Sequence, residues 1–188
     1  MTARGFDCRD LSRSSGYDVG DEASVNRFFG ELDRLDVLVN NAAILELAPI
    51  ADMKVETWDE VIRVDLRGAF LCSRAAFRLM QPGGTIVNVS SLSGVAGTDK
   101  FPKMSAYVAA KSGLAGLTEA LAVEGRPMGI RVNAVSPASV ATEMGRIAGI
   151  SQEPLSPEEV ARIITWLATS DSAPLTGANI RIDPPARG

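Results

Sequence analysis

Short runs rich in valine and isoleucine alternate with longer stretches of helical periodicity from about residue 18 onward. This alternation constrains the fold more than any other feature of the chain. The strand candidates are Asp36–Asn40, Gly84–Ser90, Ile130–Val135 and Ala178–Ile182. Their composition is typical of strands that are buried on both faces. We therefore predict an α/β fold in which helices cover both faces of a parallel sheet.

Four helices are expected between and around these strands. They are predicted over residues 21–34, 57–80 and 105–124, and from 156 through 166. Two of them begin with a capping-box pattern, Thr57 with Glu60 and Ser156 with Glu159. In a capping box the two side chains satisfy free amides of the first helical turn, so we expect these residues to mark helix starts.

The chain is predicted to form one domain over residues 1–188, because no internal repeat or low-complexity linker divides it. Residues 1–17 lack a sustained apolar period and are expected to be irregular, with at most a short strand at their end. An apolar leader and an 18-residue apolar run are both missing from the sequence, so we expect neither secretion nor a membrane partner. Cys8 and Cys72 have no CxxC companion, which favours a reducing cytoplasm.

Histidine is absent from all 188 residues, and this absence excludes several kinds of site. Ser-His-Asp triads, Cys-His pairs and His-ligated metal centres all need an imidazole, and we expect no metal site. A general base must therefore be Asp, Glu, Lys, Tyr or Cys. The net charge is -4, and no block of five or more like charges occurs, so no nucleic-acid partner is expected.

The strongest candidate for chemistry is the pair Tyr107 and Lys111, four residues apart in a predicted helix. This spacing puts both side chains on one helical face, where a lysine cation favours the phenolate and lowers the tyrosine pKa. Ser90 and Ser91 follow a predicted buried strand, at the edge of an α/β sheet where ligands bind. Each feature has an ordinary explanation as well, since such pairs occur on solvated helices and serines often cap strand ends.

Two further segments end at the same sheet edge, Asn40–Ala43 and Asn133–Ala138. Their amides and small residues would let a flat ligand lie against the backbone. The same residues also suit plain turns, and the pattern alone leaves both interpretations open.

Taken in order, these residues resemble the short-chain dehydrogenase/reductase family over about residues 18 to 183. The motifs that carry the resemblance are Asp18-Val19, Asn40-Asn41-Ala42, the strand ending Ser90-Ser91, Tyr107 with Lys111, Arg131 through Pro137, and Thr176-Gly177-Ala178. The resemblance implies a Rossmann-like, doubly wound fold with a mostly parallel sheet. It also implies an oxidoreductase that interconverts a small-molecule alcohol and a ketone with NAD or NADP, working as a homodimer or homotetramer.

The family's site residues carry over onto matching positions of this chain. Tyr107 would be the acid/base on the carbonyl or alcohol oxygen, Ser91 would polarise the carbonyl, and Lys111 would hold the nicotinamide ribose and lower the tyrosine pKa. The implied cofactor-binding residues are Asp18, Val19, Asn40, Ala42, Tyr107, Lys111, Pro137, Val140 and Thr142.

The largest departure from the family is at the front of the chain, where the expected first strand and glycine-rich turn have no counterpart. The resemblance therefore implies a fold that lacks the first βαβ portion, with a missing phosphate cradle and an unpaired neighbouring strand. Either residues 1–17 supply a substitute strand, or the chain is a shortened form of a longer protein. Residues 1–4 resemble the end of the family's second strand, where an arginine such as Arg4 favours NADP.

Smaller departures lie near the expected site. Asp65 stands where the family has asparagine as a fourth catalytic residue, and a carboxylate there would keep Lys111 protonated while offsetting its effect on Tyr107. Ala43 and Ala138 replace glycines, which is tolerable only where the backbone does not need a positive φ. Only thirteen residues separate Thr142 from Ser156, so little substrate cover is expected.

Two other functions stay open at this point. The chain could be a degenerate, non-redox scaffold or binding protein of the same fold, dimerising through the helices at 57–80 and 105–124. It could also use Tyr107 and Lys111 as acid/base in an isomerisation or elimination that needs no nucleotide.

Overall fold

Four parallel strands form the centre of the protein in a computed structural model that describes residues 5–149 and 154–184. The strands are β1 (Val37–Asn40), β2 (Thr85–Val89), β3 (Arg131–Pro137) and β4 (Asn179–Ile182). They follow one another across the sheet in the order β1-β2-β3-β4, and every neighbouring pair is parallel. All four predicted strands are confirmed, with ends shifted by a residue or two.

The helices are α1 (Glu22–Gly30), α2 (Val55–Ile62), α3 (Gly68–Leu79), α4 (Ser105–Gly125), α5 (Glu143–Ala148) and α6 (Pro157–Leu167). The capping box of Ser156 and Glu159 is confirmed. The one predicted at Thr57 is wrong, because the helix begins two residues earlier at Val55, after Lys54, without a side-chain cap. Helix α5, which Thr142 caps, was not predicted.

The helix predicted over 57–80 is not continuous. A π-helical turn (Arg63–Arg67) separates α2 from α3 and turns Asp65 into the protein interior. The wider backbone spiral of a π-helix often occurs at functional sites, and no local residue pattern predicted it here.

Side chains of both sheet faces are covered by helices. Ile86 and Val132 pack with residues of α1, α3 and α4 on one face, while Val87 and Val135 pack against Leu167 of α6 on the other. Successive residues of a strand point to opposite faces, and this explains why Ile86 and Val87 join different cores. The predicted two-sided burial is confirmed.

Strand β1 is an edge strand in the part of the chain that the structure describes, since it pairs only with β2. Residues 5–17 add no strand beside it and contain a single 3-10 turn (Arg13–Ser15). The expected substitute strand is therefore not found there. The proposed likeness of residues 1–4 to a second strand lies outside the described residues.

Membrane crossing would need a long apolar helix, and the described ranges contain none of sufficient length and hydropathy.

Candidate active site

The predicted site residues come together at the carboxyl edge of the sheet because the strands are parallel. Ser90 and Ser91 follow β2, and Tyr107 and Lys111 lie on α4, which packs against the 3-10 turn Leu92–Gly94. Gly94 makes this close approach possible. A Cβ at that position would lie 2.6 Å from the backbone carbonyl carbon and oxygen of Lys111, too close for any side chain.

The two serines have different roles in the structure. Ser90 is buried, and its hydroxyl donates to the Lys111 backbone carbonyl at 3.1 Å, so it joins β2 to α4. Ser91 is half-buried, and its Oγ accepts a hydrogen bond from the Ser93 amide at 3.1 Å. Because that bond uses an oxygen lone pair, the hydroxyl can still donate, and its hydrogen bond with Tyr107 brings it to the phenol. This supports the choice of Ser91 over Ser90.

Lys111 and Asp65 form a fully buried ion pair. Their side chains are 2% and 0% exposed, and Lys111 Nζ lies 3.6 Å from Asp65 Oδ2. The ammonium also donates to the Val89 carbonyl of β2 at 3.1 Å. Asp65 Oδ1 accepts from the Ile44 amide at 2.8 Å. Asp65 Oδ2 is a buried side-chain oxygen that has no hydrogen-bond partner.

Burial dominates the electrostatics of this group. It raises the pKa of Asp65 to about 6, against the opposing pull of the Lys111 cation. Burial also lowers the pKa of Lys111, and the negative charge of Asp65 partly opposes this lowering. Desolvation disfavours the charged form of either group, so each depends on the other to stay ionised.

Tyr107 has a pKa raised to about 12, which is opposite to the direction expected from the sequence. Burial is the largest cause, a hydrogen bond with Ser91 lowers the pKa, and the Asp65 carboxylate raises it. Lys111 Nζ lies 5.5 Å from the centre of the tyrosine ring and faces Asp65 and Val89. The cation is therefore already paired with groups other than the phenol.

Asn40 is engaged inside the protein. Its Nδ2 donates to Asn88 Oδ1 at 2.8 Å and to Ser73 Oγ at 3.1 Å, and Asn88 in turn donates to Thr118 at 2.9 Å. This chain of polar groups crosses from β1 through β2 to α4. A ligand contact by Asn40 would therefore come from its backbone, whereas Ala42 is exposed beyond the strand end.

Asp18 and Val19 are also held by internal contacts. The Asp18 carboxylate accepts two bonds from Arg63, at 3.1 and 2.9 Å, and one from the Gly20 amide at 2.8 Å. The Arg63 hydrogen bonds hold the pKa of Asp18 below its usual range. Val19 lies against Gly68, where a Cβ would come within 2.9 Å of its side chain.

Pro137, Val140 and Thr142 lie at the carboxyl end of β3 and in the segment that follows it. Pro137 ends the strand, Val140 forms an isolated parallel bridge with Leu155, and Thr142 Oγ1 caps α5 by accepting from the Gly145 amide at 3.1 Å. Helix α5 lies between Thr142 and Ser156, in the segment where little cover for the substrate was expected. Neither Ala43 nor Ala138 has a positive φ, so their methyl groups are accommodated.

A cavity of about 770 Å³ lies along the unpaired edge of β1. Its lining includes Asn40, Asn41, Ala42 and Asp65, and it runs toward the segment of residues 5–12. Ser91, Tyr107 and Lys111 are not part of its lining. The volume lies within the range of small-molecule sites.

A nicotinamide nucleotide fits this arrangement in part. The small, exposed residue Ala42 leaves room in the lining of the cavity, whereas the carboxylate of Asp65 is fully buried and already paired with Lys111. The pyrophosphate has no glycine-rich turn to receive it within residues 5–149 and 154–184, so the phosphate portion is not matched. The described ranges also contain no group of three or more His, Cys, Asp or Glu able to hold a metal ion.

Two groups of the site cannot be identified from the sequence. They are the Val89 carbonyl, which receives the Lys111 ammonium, and the Ile44 amide, which binds Asp65. Both are backbone groups, and a backbone group leaves no trace in residue identity. Only the fold can show which of them lies beside a buried charge.

Comparisons with known proteins identify relatives of this chain. A family model described as enoyl-(acyl carrier protein) reductase matches residues 10–184. A trans-4-hydroxycyclohexanecarboxylate dehydrogenase of Sinomonas cyclohexanicum is 42% identical over 168 residues, which are 86% of this chain and 62% of that protein. A 3-oxoacyl-(acyl-carrier-protein) reductase of Thermotoga maritima is 40% identical over 172 residues, covering 85% and 69% of the two chains.

Solved structures give the same result. A short-chain dehydrogenase from Burkholderia cenocepacia in complex with NADP matches with a TM-score of 0.82 at 30% identity, covering 89% of this chain and 73% of that chain. A levodione reductase matches with a TM-score of 0.80 at 28% identity, covering 89% and 74%. The chain spans between 62% and 73% of the length of the curated relatives it matches. With its parallel sheet, its ordered motifs and these relatives, the chain belongs to the short-chain dehydrogenase/reductase family of NAD(P)-dependent oxidoreductases.

Proposed function

We propose that this protein interconverts a small-molecule alcohol and a ketone, with Ser91, Tyr107 and Lys111 as its catalytic residues and NAD or NADP as its cofactor. The observation that carries the proposal is the proximity of these side chains after β2: Tyr107 forms a hydrogen bond with Ser91, and the buried Lys111 Nζ lies 5.5 Å from the centre of the Tyr107 ring. Relatives named as dehydrogenases and reductases support the reaction class.

The proton chemistry follows from the arrangement of the side chains. In the reducing direction, the Tyr107 hydroxyl gives its proton to the carbonyl oxygen, and in the oxidising direction the phenolate takes the alcohol proton. The Ser91 hydroxyl donates to the same oxygen and fixes its position. The bound nicotinamide would supply or accept the hydride at the neighbouring carbon.

A phenol with a pKa near 12 is almost entirely protonated at neutral pH, so little phenolate is present to take the alcohol proton, and oxidation depends on lowering this pKa. Lys111 is the cation within reach, and its present partners are Asp65 and the Val89 carbonyl. Asp65 was expected as a fourth catalytic residue. Its contacts reach Lys111 and Ile44 rather than a position beside Ser91, so in our proposal it acts through Lys111.

The cofactor would lie along the carboxyl edge of the sheet. Asp18 and Val19 are proposed on its adenine side, Asn40 and Ala42 on its adenosine side, and Pro137, Val140 and Thr142 near the nicotinamide. Lys111 and Tyr107 would face the nicotinamide ribose. NADP is proposed ahead of NAD, on the sequence likeness at Arg4 and on the solved relative in complex with NADP.

Exposed apolar side chains support a homodimer or homotetramer built through α3 and α4. Phe70 and Val123 are both exposed on these helices, and the burial of such side chains is the main source of association energy. The free cysteines, one exposed and one buried, suit a cytoplasmic location.

The test of the enzyme proposal is nucleotide binding followed by turnover. Calorimetry should show saturable binding of NADP(H) or NAD(H), and Tyr107→Phe should retain binding while losing at least about a hundredfold in turnover. Tyr17→Phe is the matched control, since Tyr17 is the chain's only other tyrosine and its hydroxyl donates to Glu31 rather than meeting Ser91 or Lys111. Absence of saturable binding of either nucleotide would sink the proposal.

A non-redox scaffold is the second candidate, favoured by the unmatched phosphate portion and the unpaired edge of β1. It predicts assembly through α3 and α4 with no effect of Tyr107→Phe on any biological activity. Loss of that activity in Tyr107→Phe, with the assembly unchanged, would exclude it. The third possibility, an isomerisation or elimination, predicts turnover without any added nucleotide.

A further inference from the structure

The carboxylate of Asp65 touches two parts of the site at once. Oδ1 accepts from the Ile44 amide at 2.8 Å, in the segment that follows β1, and Oδ2 lies 3.6 Å from Lys111 Nζ on α4. The π-helical turn is what turns this side chain into the interior between the two. No other buried side-chain oxygen or nitrogen of the described residues lacks a hydrogen-bond partner.

The chemistry of this contact depends on a carboxylate. Asparagine at position 65 can keep the bond from Ile44 through its oxygen, but it then turns an amide N–H₂ toward the Lys111 ammonium, and two donors cannot bond. An asparagine of the same shape therefore cannot replace the interaction of the Asp65 charge with Lys111. When the anion is removed, the pKa of a buried lysine falls, because burial disfavours the charged form and nothing compensates for it.

We propose that Asp65 is a positioning residue that fixes the charge and the place of the Lys111 ammonium with one oxygen and the segment after β1 with the other. This inference rests on the role proposed for Lys111. It goes further by assigning the link between the lysine and the cofactor-facing segment to a single side chain.

The groups facing Asp65 are few, and this makes the proposal testable. From α4 it faces Lys111 and Tyr107, and from the segment after β1 it faces the Ile44 amide. The arginines of its own turn bond elsewhere, Arg63 to Asp18 and Glu60, and Arg67 to the Gly20 carbonyl.

Carbon-13 NMR of labelled lysine side chains in the ligand-free protein measures the Lys111 pKa directly. The chain has only four lysines, Lys54, Lys100, Lys103 and Lys111, and the other three are exposed. Lys111→Met assigns the signal by its disappearance. In Asp65→Asn the Lys111 pKa should fall relative to the wild type. Asp59→Asn, the same substitution at an exposed residue of α2, should leave it unchanged.

Hydrogen exchange at the Ile44 amide separates the two contacts. Asp65→Asn should keep the protection of this amide, and Asp65→Ala should speed its exchange about tenfold or more, because a bond to a buried oxygen is lost. If Asp65→Ala does not fold, the Asp65→Asn titration still decides the charge role. An unchanged Lys111 pKa in folded Asp65→Asn overturns the proposal, and so does unchanged Ile44 exchange in folded Asp65→Ala.

Turnover adds a third readout. Asp65→Asn should shift the pH profile of kcat/KM, whereas Asp59→Asn should not. The NMR and exchange measurements need no nucleotide. Failure to bind NAD(P) would therefore exclude the proposed function, while the role of Asp65 would still be decided by the Lys111 pKa and the Ile44 exchange rate.

Discussion

The π-helical turn carries two ion-pair systems that differ in almost every physical respect. At its start, Arg63 binds Asp18 and Glu60 through hydrogen bonds in a partly exposed network, which Arg13 joins by a hydrogen bond to Glu60. Two residues later, Asp65 meets Lys111 in full burial at 3.6 Å, with one carboxylate oxygen lacking a hydrogen bond.

The pKa values move in opposite directions in the two places. Hydrogen bonds from Arg63 lower the pKa of Glu60 to about 2, whereas burial raises the pKa of Asp65 to about 6. In the first case the partners more than compensate for desolvation, and in the second they do not. The exposed network therefore favours the charged form of its carboxyl, whereas burial disfavours the charged form of Asp65 more than Lys111 favours it.

The largest predicted effect comes from removing one partner of the buried pair. Lys111→Met should lower the free energy of unfolding by about 3–5 kcal/mol, because Asp65 is left buried without a counter-ion. The double variant Asp65→Asn/Lys111→Met should recover most of this loss. Urea denaturation measures both, with Lys54→Met as the exposed control. A double variant no more stable than the single one would contradict the idea that the loss comes from a buried carboxylate without its counter-ion.

A somewhat smaller effect is expected where the backbone comes close to the lysine. Gly94→Ala should cost about 1–3 kcal/mol, since the new methyl would overlap the Lys111 backbone at 2.6 Å. Gly116→Ala in α4 is the matched control, because its Cβ would meet nothing within 4 Å and alanine favours a helix. Thermal melting of both variants measures the contrast. Equal melting temperatures would show that the close packing of the 3-10 turn at Gly94 does not constrain the backbone of Lys111.

The exposed network should respond more weakly. Arg63→Gln is expected to cost about 1 kcal/mol or less, because Asp18 and Glu60 stay accessible to water and salt. Raising the ionic strength should shrink the difference from the wild type further. Denaturation at low and high salt measures it, and a loss as large as that of Lys111→Met would remove the distinction between the two systems.

The pH dependence of stability should have opposite signs for the two carboxyls. Asp65 has a folded pKa of about 6, above its ordinary 3.8, so the folded state binds the extra proton and this group favours folding increasingly as pH falls from 6 toward 4. Glu60 has a folded pKa of about 2, below its ordinary 4.5, so its contribution is present above pH 4.5 and is lost as pH falls toward 2.

Denaturation at several pH values checks these signs by comparing the wild type with Asp65→Asn and with Glu60→Gln. The stability advantage of the wild type over Asp65→Asn should grow on going from pH 6 to pH 4. Its advantage over Glu60→Gln should shrink below pH 4.5, by less than about 1 kcal/mol, since the side chain is 39% exposed. A parallel response of both variants would contradict the assignment.

Sequence patterns predicted the parts of this fold that repeat. The four strands, the helix around Tyr107 and Lys111, and the capped start of α6 follow from valine-rich runs, helical spacing and a capping box. The break between α2 and α3 was missed, because a π-helical turn depends on what packs around it rather than on its own residues. The start at Thr57 was wrong for a related reason, since the helix extends back to Val55 without a cap.

For the site, the sequence identified which residues are present and the structure determined what each one contacts. Asn40 and Asp18 were predicted to meet a cofactor, yet their side chains bond to Asn88 and Arg63. The pKa of Tyr107 was predicted to fall and instead rises, because burial and the Asp65 charge outweigh the hydrogen bond with Ser91. Bond partners and desolvation arise from residues far apart in the chain, so no local pattern contains them.

The sequence by itself determined a parallel α/β sheet and the family, since strand composition, helix spacing and motif order are local properties of the chain. Only the tertiary structure decided the state of the site. It placed Lys111 beside Asp65 and the Val89 carbonyl, left Asp65 Oδ2 without a hydrogen bond, and left β1 with one strand neighbour among the described residues. The physical reason is that a charge is set by the groups and the water around it, and folding alone brings those groups together.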